Sequence, residues 1–138
     1  MKPFHVRIAA FVLAFIPAPA VLAEGPTLKP GKWEVTTVSS SSMAKPRTTS
    51  QTECVKEDKD PLDFIMEADT CKVTDKKVEG YTVSWKMECG ENPVGKGSGT
   101  FTADGTTGEG VLEMDFTVKD KDIHVKNTWK GKRVGDCD

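Results

Sequence analysis

The chain has 138 residues, with 19 Lys and Arg against 21 Asp and Glu and a formal net charge of −2. That length holds one domain with a modest core. The basic residues are scattered among acids rather than grouped, which argues against a surface for nucleic acid or an anionic membrane.

Lys2 and Arg7 precede an uninterrupted apolar run from Ile8 to Ile16, and Pro17 to Ala23 follow. This is the three-part order of a secretory signal peptide. The run is too short and too broken by proline to span a bilayer. Val21 and Ala23 stand three and one residues before Glu24, so cleavage is expected after Ala23, with Ala20 the next choice. The expected organisation is a signal peptide over 1–23 and a single exported β-rich domain over 24–138. Removing 23 residues from 138 leaves 115, with 17 basic against 21 acidic once Lys2 and Arg7 are gone. The expected location is the periplasm or the medium beyond it. No cysteine stands directly after the apolar region, so no lipid anchor is expected, and no membrane span is expected after cleavage.

Glu24 to Lys29 reads as a loose polar leader. Trp33, Val35 and Thr37 then alternate with Glu34 and Thr36, the pattern of a first strand. Ser39 to Ser42 is a small-residue loop, and the Thr-rich stretch Arg47 to Val55 returns from it. Asp60-Pro61 with Asp63 resembles a helix start. Leu62, Ile65 and Met66 share a face at helical spacing, so one short helix is expected over 61–68.

Cys71 to Cys89 reads as a hairpin folded at Glu79-Gly80-Tyr81. Opposing Cys71 to Cys89 also opposes Val73 to Met87, Asp75 to Trp85 and Lys77 to Val83, which makes one face mostly apolar. The other face then carries Val78, Thr82 and the pair Lys72/Glu88. A Gly-rich stretch with Pro93 leads into a strand over 95–103, and Asp104-Gly105 is a hairpin turn signal. Over 108–119, Leu112, Met114, Phe116 and Val118 point one way, while Glu113, Asp115, Thr117 and Lys119 point the other. Lys119 to Asp122 turns the chain back. Ile123, Val125 and Trp129 then alternate with His124, Lys126 and Lys130, and Asn127 interrupts the apolar side.

The expected fold is mainly β: a single antiparallel meander of about seven strands, sequential neighbours pairing, curled into a partly open barrel or clamp with one short helix. Its inside would carry Trp33, Val35, Val73, Val83, Trp85, Leu112, Phe116, Ile123 and Trp129.

All four cysteines lie in the exported part, and an even count in a small exported chain reads as a disulfide framework with three connectivities. The hairpin register joins Cys71 to Cys89. Cys54 and Cys137 then meet if the last strand closes antiparallel against the first. The rival framework joins Cys54 to Cys71 across the helix and Cys89 to Cys137. A zinc site is disfavoured: no pair shows Cys-x-x-Cys spacing, and His124 is the one histidine after the leader.

Several segments together resemble a family of small exported Gram-negative bacterial proteins catalogued as a domain of unknown function. They are Pro30-Gly31-Lys32-Trp33-Glu34, Cys54, Cys71 to Asp75, Val83 to Met87 with Cys89, and Gly131-Lys132-Arg133-Val134-Gly135-Asp136-Cys137. The resemblance implies export, the cysteine framework and a β-rich domain, and brings no activity with it. Similar proteins often carry a first loop rich in Met and Pro; here only Met43 and Pro46 remain, which weakens a soft-metal reading.

No catalytic or metal-binding constellation stands out, and no cofactor is expected. His124 falls on the outward side of its strand beside Lys126, an exposed histidine rather than a base. Glu109, Glu113 and Asp115 lack calcium-loop spacing. Gly95, Gly97 and Gly99 lack the following helix and Lys-Ser/Thr of a phosphate loop. Lys130, Lys132 and Arg133 read as a small basic patch that protects an edge. Trp33, Trp85, Phe116 and Trp129 are the candidates for a concave apolar pocket, taking a lipid-like molecule or an envelope protein's strand. Ordinary core packing is the competing reading of the same residues. The functional expectation is a non-enzymatic periplasmic binding module; the alternative is a structural or protective envelope protein without a ligand, and an enzyme is the weakest reading.

Overall fold

The computed structural model describes residues 25–57, 71–90 and 94–138. The expected signal peptide and the expected helix over 61–68 lie outside the described residues. The described residues form eight strands: β1 (Thr27–Leu28), β2 (Gly31–Ser41), β3 (Ala44–Val55), β4 (Cys71–Glu79), β5 (Thr82–Cys89), β6 (Val94–Gly105), β7 (Thr107–Val118) and β8 (Lys121–Gly135).

The expected meander holds from β4 to β8, where each strand pairs antiparallel with the next. The sheet continues through β2, which pairs antiparallel with β8, and ends at β3. The order is therefore β3-β2-β8-β7-β6-β5-β4, and the sheet stays open rather than closing into a barrel. Its two edges, β3 and β4, follow one another in the chain but do not pair. The leader is not wholly loose: β1 pairs parallel with β6 at Asp104 and Gly105, beyond the end of β5.

The turns follow from local chemistry. At β7–β8, Lys119 and Asp120 both take positive φ, 48° and 63°, the two-residue turn whose twist suits a hairpin. At β6–β7, the Asp104 carboxylate accepts from the backbone N–H groups of Thr106 and Thr107 and from the Thr107 hydroxyl. This closes the loop as an Asx turn. Those bonds favour the ionised form and hold its pKa below the usual 3.8.

The β4–β5 hairpin corrects the expected register in its inner half. Cys71, Lys72 and Val73 oppose Cys89, Glu88 and Met87 as expected, but a bulge at Thr74 then shifts the pairing by one. Lys76, not Asp75, faces Trp85; Val78, not Lys77, faces Val83. The reason is in the sequence. Val73 and Val78 are five residues apart, so a regular strand would send them to opposite faces. One extra residue between them brings both inward, where both pack against the core.

The core lies on one face, around Val83, Trp85, Met87, Cys89 and Met114, with Phe101, Leu112, Phe116 and Val125 packed against it and half-buried. Two disulfides tie down the sheet's edges. Cys71–Cys89 joins β4 to β5, and Cys54–Cys137 joins β3 to the tail after β8, across the intervening β2.

Candidate functional site

The inner face is built from large side chains laid over glycines. Gly95, Gly97 and Gly99 occupy alternate positions of β6 and face Cys89, Met87 and Trp85 of β5. A Cβ at Gly99 would fall within the Trp85 indole, one at Gly97 would meet Met114 and the Glu113 carbonyl, and one at Gly95 would meet the Phe116 ring. On β7, Gly110 sits beneath Phe101 and Trp129, and on β8, Gly131 lies against Trp33 and Val35. These glycines are strand residues that let side chains from the neighbouring strand lie flat, which is why they form no phosphate loop.

The four candidate pocket residues divide between two neighbourhoods. Trp85, 2% exposed, belongs to the main cluster, and Phe116 packs against that cluster. Trp33, 3% exposed, lies against Gly131 and donates from Nε1 to the Lys29 carbonyl at 2.9 Å. Trp129 lies between them, sharing Gly110 with Phe101. Trp33 and Trp85 are thus buried, whereas Phe116 and Trp129 stay half-buried. Phe101, Leu112, Ile123 and Val125 share that half-buried state, leaving an accessible apolar stripe across β6, β7 and β8. Phe101 carries no alternation signal because glycines fill the alternate positions before it. The usable signal is the period-two series Gly95, Gly97, Gly99, Phe101, Ala103, which marks one continuous inner face. Trp85 Nε1 is buried and, among the described residues, makes no hydrogen bond, a donor without an acceptor inside the apolar cluster.

The outer face is a charge lattice. Across five strands, Lys72, Glu88, Lys96, Asp115 and His124 stand opposite one another in turn, with alternating acidic and basic side chains. In a neighbouring row Glu113 opposes Lys126, and Lys126 Nζ lies 3.3 Å from Glu113 Oε1. His124 Nδ1 is 2.7 Å from Asp115 Oδ1, while its Nε2 looks toward Glu113 Oε1 at 4.0 Å. An acid-held histidine activates a nucleophile through its second nitrogen. Here that nitrogen faces another carboxylate. Glu109, Glu113 and Asp115 oppose Lys130, Lys126 and His124, so they are matched by cations across the strand pair. These exposed pairs contribute little stability each, but the alternation discourages register slip. A shallow depression of about 350 Å³ on this face is bordered by Asp75, Lys77, Ser84, Lys86 and Ser98.

The expected basic patch is divided. Lys130 stands opposite Glu109, and Lys132 opposite Glu34. The Arg133 Nε donates to the Pro30 carbonyl at 2.8 Å, and its Nη2 pairs with Asp136. Arg133 is therefore a clamp on the start of β2 rather than a free cation.

Fold and site together define an open, disulfide-stapled antiparallel sheet domain with one apolar and one charge-laced face. The chain belongs to the family described as "Protein of unknown function (DUF3617)", which matches residues 28–137. No curated protein and no solved structure matches it.

Proposed function

We propose that this chain is a non-enzymatic binding module of the bacterial periplasm that takes an apolar, lipid-like ligand on the inner face of its sheet. The observation that carries the reading is the half-buried stripe of Phe101, Leu112, Phe116, Ile123, Val125 and Trp129, which an open sheet leaves accessible. A face of that kind is either covered in use or a liability in water. The two disulfides suit an oxidising compartment, and the sequence of 1–23 suits export to one. The geometry around His124, with carboxylates facing both ring nitrogens, supports a binding rather than a catalytic role.

Native mass spectrometry of the protein taken from the periplasm, followed by titration with an apolar fluorescent dye and with acyl lipids, tests this. The expected result is a retained ligand or saturable dye binding that weakens on Phe116→Asp. Absence of both would favour a structural envelope protein, and a co-purified polypeptide would replace the lipid-like ligand by a protein partner.

A further inference from the structure

The two rims of the sheet are built differently. β4 carries Lys72, Asp75, Lys76, Lys77 and Glu79, all exposed, together with the bulge at Thr74. Charges and a bulge are devices that keep an edge strand from pairing. β3 has a different rim. From Arg47 to Glu53 it reads Arg-Thr-Thr-Ser-Gln-Thr-Glu, with neutral hydroxyl and amide side chains between one cation and one anion. Pro46, which has no N–H to donate, bounds this segment at one end. Cys54, held to Cys137, bounds it at the other.

We propose that β3 pairs edge to edge with β3 of a second copy of this chain, antiparallel, about a two-fold axis at Ser50. The argument is one of register. Arg47, Thr49, Gln51 and Glu53 oppose Ser39, Thr37, Val35 and Trp33 of β2, so the odd-numbered residues of β3 face inward. Directly opposed residues in an antiparallel pair point to the same face, and a two-fold axis normal to the sheet keeps both inner faces on one side. Odd residues must then meet odd residues, which centres the pairing on a single residue. Centring on Ser50 sets Arg47 against Glu53 of the second copy, and Glu53 against its Arg47. Thr48 meets Thr52 and Thr49 meets Gln51, pairs of the kind that stabilise strand contacts. Centring on Thr49 would draw Pro46 into the ladder, and centring on Gln51 would place Arg47 opposite Val55. Only the Ser50 register forms the two opposite-charge pairs and excludes proline. Among the described residues neither charge has an ion-pair partner, and Glu53 accepts one hydrogen bond, from Gln51 Nε2 of its own strand.

Sedimentation across a concentration series, on protein with both disulfides formed, tests the pairing independently of any ligand. The wild-type chain should dimerise. Arg47→Glu and Glu53→Arg should each weaken the dimer by roughly tenfold or more, since each turns two attractions into two repulsions. Mixed in equal amounts, the two variants should pair with one another, because every charge then meets its opposite. Ser50→Cys should cross-link as a covalent dimer on mild oxidation, whereas Thr48→Cys, which faces Thr52 of the second copy, should not. Far-UV circular dichroism confirms that these exposed substitutions leave the sheet intact. The proposal is overturned by a chain that stays monomeric throughout, by a dimer indifferent to both charge reversals, or by open polymers, which would mean β3 pairing with β4 of the next copy.

Discussion

Replacing Gly99 with alanine tests whether glycines are required beneath the large side chains of the inner face. The added Cβ would overlap the six-membered ring of Trp85, and Trp85 is only 2% exposed, so the ring cannot swing into solvent. In isolation, Gly→Ala in a compatible backbone gains about 0.4–1 kcal/mol by restricting the unfolded chain. Overpacking a filled core costs about 1–3 kcal/mol. The net expectation for Gly99→Ala is a loss of roughly 1–2 kcal/mol, or some 4–10 °C in Tm for a domain of this size. Gly97→Ala should be worse, because its Cβ meets the Glu113 carbonyl, and backbone cannot rotate out of the way. Gly135→Ala is the control: among the described residues nothing lies near its Cβ and its φ is not positive, so it should be neutral or slightly stabilising. Urea unfolding monitored by tryptophan fluorescence, with disulfides intact, gives all three values. A cycle combining Gly99→Ala with Trp85→Leu should show strong coupling, since the smaller side chain relieves the overlap. If Gly99→Ala behaved like Gly135→Ala, the packing argument would fail.

Removing the disulfides should separate their loop lengths. Loop entropy gives about 4–5 kcal/mol for Cys54–Cys137 and about 3 kcal/mol for Cys71–Cys89, from separations of 83 and 18 residues. Denaturation of the paired Cys→Ser variants should preserve that order, and the reverse order would count against it. Asp104→Ala should lower stability at neutral pH by opening the Asx turn. Because the folded pKa is depressed, Asp104's contribution is complete above 3.8 and fades as pH falls through the folded value, so the gap between wild type and variant should close in strong acid. Deleting Thr74 should expel Val78 from the core or break the Cys71 register, at roughly 1–2 kcal/mol; an unchanged urea midpoint would refute the bulge's role.

Much of this fold could be read from alternation alone. Leu112, Met114 and Phe116 against Glu113, Asp115 and Thr117 describe β7 as the structure has it, because one face is packed and the other is wet. The turn at Lys119-Asp120 and the β4–β5 pairing near the cysteines were legible for similar local reasons. Three features were not. A bulge residue such as Thr74 has no composition of its own; only the odd spacing of Val73 and Val78 betrays it. Glycine has no hydropathy signal, so the strand expected over 95–103 shows no inward side in its pattern, although Gly95, Gly97 and Gly99 all lie on the inner face. The two-residue β1 depends on a parallel contact with distant Asp104 and Gly105, which no local pattern encodes. For the candidate site, alternation found the inward tryptophans but could not separate Trp85, which is packed, from Trp129, which is half-buried. Both rings lie over a glycine of a neighbouring strand, Gly99 under Trp85 and Gly110 under Trp129, so alternation and glycine placement are alike for the two and only the wider packing differs.

The bulge also affects how related sequences should be aligned. It splits β4 into two segments, one registered by the Cys71–Cys89 bond and the other by Val78 against Val83. A relative without the extra residue can keep its cysteines in place and still bury its second valine, provided that valine shifts by one position. An alignment that forbids gaps inside strands would then superpose an inward residue on an outward one, and conserved burial would look like substitution. Allowing a single gap between residues 74 and 77 restores the equivalence.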